Sequence, residues 1–187
     1  MSLQIETQPT AEPVTIDEVA AVLRLAPTAA DVTMLTGYIK AARETAERIT
    51  RRSLVQKGYV YYMDRFPWPG EVIKLPVPPL VSVASVKYLD NTLALQTWDP
   101  AEYFVGDKQI PAIIAPIFPN TYPFTACGTG QGVEIHFTAG KSDIEELQNA
   151  IRQLAAFYYD HPEVISSDKA DELPLGVRSV LRANRIY

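Results

Sequence analysis

Gly140-Lys141-Ser142 comes closest to a phosphate-binding motif, because a Gly-Lys-Ser turn between a strand and a helix is how a P-loop wraps a phosphate. The spacing denies it. A P-loop carries a further glycine five residues earlier, where Ile135 stands, and Ser142 is better used as a helix N-cap. Gly128, Gly130 and Gly132 alternate before a strand pattern, whereas the dinucleotide fingerprint follows one. Cys127 would be a nucleophile if His136 or His161 approached it as a base, but His136 alternates along a strand pattern and His161 stands beside Pro162. Glu145 with Glu146, and Asp168 with Asp171 and Glu172, offer carboxylates for acid-base or metal chemistry. Adjacent acids at a helix start or in a polar loop are ordinarily solvated. The ten tyrosines could stack on single-stranded bases, but no basic groove accompanies them and sheet propensity accounts for them. We therefore expect no catalytic residue, no cofactor and no metal. What remains is Arg178, Arg182 and Arg185, with Tyr187 beside them, as a contact for a phosphate or an acidic partner; the plain alternative is a solvated helix face.

These residues need elements to position them. Thr15 and Glu18 have capping-box spacing at the head of a helix, with Val14 placed to staple onto Val19 and Pro27 beyond its end. A longer helix is expected to open near Asp31, because Leu35, Tyr38, Ile39, Ala42, Ala46 and Ile49 recur at three and four residue steps. Arg48, Arg51 and Arg52 close it, at the negative end of its dipole. The pair is not a helix-turn-helix: a recognition helix opens on polar and basic side chains, and this one opens Ala30-Asp31-Val32-Thr33-Met34.

From Leu54 the period becomes two. Short strands are expected around Val60 and Tyr62, Val72 to Leu75, Val81 to Leu89, Leu93 to Trp98, Tyr103 to Val105 and Val133 to Thr138, with turns at the prolines and at Asp90-Asn91. Ser142 with Glu145 then suggests a second capping box, before a helix along Leu147, Ala150, Ile151, Leu154 and Tyr158. No internal repeat or sustained heptad is present. The pattern predicts a single α+β domain over residues 1–187, its helical N-terminal region and C-terminal helix packed around a small antiparallel sheet. Residues 1–13 read as a flexible arm, 163–172 as a mobile segment and 173–187 as a docking tail.

The composition narrows the class further. One Cys excludes a disulfide framework, and a net charge of −5 argues against bulk affinity for DNA or anionic lipid. No apolar run approaches the roughly 20 residues of a membrane span, and Met1 to Thr10 lacks the features of a signal peptide, so a soluble intracellular protein is expected.

One stretch fits neither core nor loop. Ile110 to Gly132 has no charged side chain and carries Pro111, Pro116, Pro119 and Pro123 among Ile113, Ile114, Ile117, Phe118, Tyr122 and Phe124. The prolines speak against regular structure, and the apolar content speaks against a solvated loop. Either the stretch folds over its own sheet, or Ile113, Ile117, Phe118, Tyr122 and Phe124 meet a neighbouring subunit or partner.

The order of the pieces resembles the head-tail connector proteins of tailed bacteriophages. The resemblance runs through Thr15-Ile16-Asp17-Glu18-Val19, Ile39-Lys40-Ala41-Ala42-Arg43, Leu75-Pro76-Val77-Pro78-Pro79-Leu80-Val81-Ser82-Val83, Trp98-Asp99-Pro100-Ala101-Glu102-Tyr103, Phe137-Thr138-Ala139-Gly140 and Leu173-Pro174-Leu175-Gly176-Val177 to Tyr187. It covers nearly the whole chain and departs at 110–132, which is longer here. The resemblance implies a non-enzymatic protein of a phage or prophage virion neck, made in the host bacterial cytoplasm. It would form a ring of about a dozen copies beneath the portal protein and meet a tail or stopper protein. DNA would pass through without tight binding, and no membrane is involved. The C-terminal arginines and Tyr187 would dock on the portal. The alternatives are a DNA-packaging accessory protein that binds DNA through its helices and terminal arginines, and a small hydrolase built on Cys127 and His136.

Overall fold

Two threonines open the first two helices by the same device. Thr15 accepts the Glu18 N–H at 3.3 Å while the Glu18 carboxylate takes the Thr15 N–H at 2.7 Å, and α1 runs Ile16–Leu23. Thr28 and Asp31 repeat the exchange at 3.4 and 2.9 Å, so α2 runs Ala29–Thr50 and starts ahead of the expected Asp31. Arg51 closes α2 in the left-handed region at φ 57°, its N–H donating to the Glu47 carbonyl. The computed structural model describes residues 1–126, 128, 130–141, 144–162 and 173–186. The segment 163–172, expected to be mobile, lies outside them, as do Cys127, Ser142 and Tyr187. α3 spans Glu145–Asp160 and its N-cap is Ile144, with no side-chain cap hydrogen bond.

The chain divides into two compact units, residues 10–55 with 142–187 and residues 1–9 with 56–141. The first is helical. Leu35, Ile39, Ala42 and Ala46 of α2 pack with Val19 of α1, with Leu147, Ile151 and Leu154 of α3, and with Val177 and Leu181 of α4, Leu175–Ala183. Each buried Leu or Ile contributes roughly 1.5 to 3 kcal/mol against exposure. One charged side chain joins them. Arg43 is 1% exposed, with Nε 2.7 Å from Glu12 and Nη1 2.9 Å from Glu47.

The second unit holds two antiparallel sheets. In the larger, the order is β1 (Ser2–Thr7), β2 (Lys57–Met63), β8 (Val133–Ala139), β4 (Leu80–Leu89) and β5 (Leu95–Thr97). The N-terminal residues expected as a flexible arm thus include a strand, which pairs Ser2 with Tyr62 through Thr7 with Gly58. Central β8 alternates as the sequence requires, with Val133, Ile135, Phe137 and Ala139 buried. Gly132 admits no side chain at its head, because a Cβ there would collide with the Asp64 carbonyl. The smaller sheet runs β3 (Ile73–Lys74), β7 (Ile113–Pro116), β6 (Tyr103–Gly106).

β7 corrects the expectation that the prolines of 110–132 exclude regular structure. Pro111 precedes the strand and Pro116 ends it opposite Tyr103, positions where a missing N–H is tolerated. Ile114 between them is fully buried. This unit's core adds Phe66, Trp98 and Tyr103 to the β8 residues.

Candidate functional site

Several of the described residues singled out for chemistry have an ordinary occupation. The Gly140 N–H donates to the Pro79 carbonyl at 2.9 Å, so that amide is not presented to a phosphate. The amides of Gly128 and Gly130 donate to one carboxylate oxygen of Asp64, at 3.1 and 2.8 Å, which fills the anion position the glycine loop makes. His136 sits on β8 with Nδ1 3.3 Å from Glu6 and Nε2 3.7 Å from Glu134. Cys127, which would need His136, lies outside the described residues, as do Asp168, Asp171 and Glu172. His161 caps α3 with its N–H on the Phe157 carbonyl at 2.9 Å and its ring stacked on that of Phe157. Among the described residues no group of three or more His, Cys, Asp or Glu is arranged to hold a metal ion. No described helix is long and apolar enough to cross a membrane.

The apolar stretch divides between interior and surface. Tyr122 is partly buried, stacked on Phe66 at 5.2 Å, its hydroxyl donating to the Glu71 carbonyl at 2.9 Å. Burial pushes that hydroxyl's pKa up to about 12. Ile113 is partly buried where it pairs with Lys74 and Gly106. Ile117, Phe118 and Phe124 point the other way, with Phe118 93% and Phe124 73% exposed. Phe124 also lines a cleft of about 350 Å³ with Pro67, Trp68, Tyr122 and Pro123, where the Arg65 guanidinium lies 5.3 Å from the Trp68 ring.

The helical unit brings together arginines that the sequence keeps far apart. Arg52 Nε donates to the Asn184 carbonyl at 3.0 Å, and the Ile186 N–H donates to the Thr50 carbonyl at 3.0 Å. The end of α4 is therefore tied to the end of α2. Arg51 and Arg52 are thereby brought near Arg185; Arg48, Arg51, Arg182 and Arg185 are exposed, and Arg52 and Arg178 partly so. Tyr187 lies outside the described residues. The sequence reading took the first triplet only as a helix terminus, and the signal it lacked is the pairing of Thr50 with Ile186. Val177 and Leu181 are buried in the helical core, so α4 is an integral helix and not a detachable tail.

No protein-family model matches the chain, and no characterised protein matches it in sequence. Solved structures do. A chain of the virion of the native gene transfer agent (GTA) particle has a TM-score of 0.77 at 24% identity, over 100% of this chain and 96% of that one. A chain of the neck of the empty GTA particle, determined with C6 symmetry, gives 0.78 at 23%, and one of the neck of the native particle, with C12 symmetry, 0.73 at 25%, both with the same coverage. Over its full length, the chain shares the fold of proteins found in the neck of these phage-like particles.

Proposed function

We propose that this chain is a structural protein of a phage-type virion neck. Copies of it form a ring beneath the portal that joins head to tail and continues the DNA channel. The observation that carries this reading is the full-length fold shared with chains of a C12-symmetric particle neck. The family resemblance and the exposed Ile117, Phe118 and Phe124 support it. An acidic chain suits a conduit, because cations on phosphates supply most non-specific DNA affinity. The portal and a tail or stopper protein are its partners, with α4 and its arginines on the portal side.

The test is co-sedimentation with portal rings of the same phage. The wild-type chain is expected to bind as a ring, and the Arg182→Glu/Arg185→Glu variant to fold but stay behind. A wild-type chain that ignores the portal overturns the reading. Deleting α4 is not a usable test, since loss of Val177 and Leu181 would open the helical core.

A further inference from the structure

We infer that the six arginines along α4 and at the end of α2 form one recognition surface for a short acidic segment of a partner protein. The inference deepens the neck reading and rests on it only for where that segment comes from.

The surface is a product of the fold. Arg51 follows Thr50, Arg185 precedes Ile186, and Thr50 and Ile186 share a backbone hydrogen bond. The ends of two triplets more than a hundred residues apart thus become neighbours. They gather six of the 17 basic residues of a chain whose net charge is −5. All six are arginines, whose planar fork matches a carboxylate with two parallel hydrogen bonds, where lysine offers a point charge. Arg48, Arg178 and Arg185 have contacts within the chain and Arg52 holds the Asn184 carbonyl, so these four shape the field. Exposed Arg51 and Arg182 are the pair expected to meet the ligand.

The surroundings select a short acidic segment over a duplex. The Glu146 carboxylate accepts a hydrogen bond from the Asn184 side chain at 3.2 Å. A duplex carries a charge every ~1.7 Å along a rigid axis and would set phosphates against this carboxylate as well as the arginines. The C-terminal carbonyls of both helices add further negative potential. A flexible segment can place its few carboxylates between them.

The experiment uses the full chain with two labelled probes, an oligoglutamate peptide of about ten residues and a duplex of about 20 base pairs, read by fluorescence anisotropy across a salt series. The peptide is expected to bind, to weaken as salt rises and to bind more tightly than the duplex. Arg51→Glu/Arg182→Glu is expected to lose at least about tenfold in peptide affinity, while Arg51→Lys/Arg182→Lys, which keeps the charge, loses less. Arg182→Glu alone, on an exposed face of α4, guards against a folding defect in the double variant. Absence of peptide binding by the wild type, unchanged binding by the glutamate variants, or tighter binding of the duplex each overturns the inference. Portal co-sedimentation without peptide binding also overturns it and leaves the neck reading intact; peptide binding without co-sedimentation supports the surface and removes that reading.

Discussion

Arg43 shows how a single residue can hold a helical core that is otherwise apolar. Burial opposes its charge, but the hydrogen bond to Glu12 and the fields of Glu47 and Glu12 outweigh that cost and hold its pKa above the usual arginine value. Arg43→Met removes the cation from between the Glu12 and Glu47 carboxylates, of which Glu47 keeps the Leu54 N–H, and is expected to cost about 3 kcal/mol in urea denaturation. A loss under about 1 kcal/mol would mean the ion group contributes little. Asp90 makes the same point at a turn. It accepts hydrogen bonds from the Thr92 hydroxyl at 2.6 Å, the Gln96 amide at 2.9 Å and the backbone N–H groups of Thr92 and Ala94. These, the Thr92 hydroxyl foremost, lower its pKa from 3.8 to about 2. Because the folded value is depressed, the stabilisation is present above the unfolded pKa and is lost as pH falls through the interval between the two. Carboxyl-carbon NMR is expected to give a midpoint near 2, moving up in Thr92→Ala; an ordinary midpoint in the wild type contradicts the hydrogen-bond set.

Elements were legible where their signal is local. Thr15-x-x-Glu18 announced α1 because both halves of its cap lie within one turn, and Val133 to Thr138 announced β8 because one face of it is buried. α2 was read as starting late because its box closes with Asp31 in place of the more familiar Glu or Gln. β1 gave no pattern, since all six of its residues are exposed and only pairing with β2 makes it a strand. β7 was hidden by its flanking prolines, which rule out a central position for themselves but not for Ile113 to Ala115 between them. Beyond β7, Ile117 and Phe118 lie outside the buried core, so Ile117→Ser/Phe118→Ser is expected to leave the melting temperature within about 2 °C, as surface substitutions do, while ring assembly on the portal falls sharply. A variant that assembles like the wild type in sedimentation would remove these residues from the subunit contact.

For the whole molecule, the α+β class could be read from the chain, but its two compact units could not. Hydrophobic periodicity reports which face of an element is buried and not which core receives it, so the two compact units carry no mark in the sequence. The arginine surface was illegible for a related reason: Arg51 and Arg185 meet through a backbone bond between Thr50 and Ile186 that no spacing rule encodes. The division also orders the molecule in time. The chain leaves the sheet unit after Pro9, returns to it at Gln56 and leaves again after Lys141, so neither unit is a contiguous stretch. During synthesis from the N-terminus, the sheets can close once β8 has emerged, while α1 and α2 wait for α3 and α4. The arginine surface therefore forms after the sheet unit, whose exposed Ile117 and Phe118 are on display first.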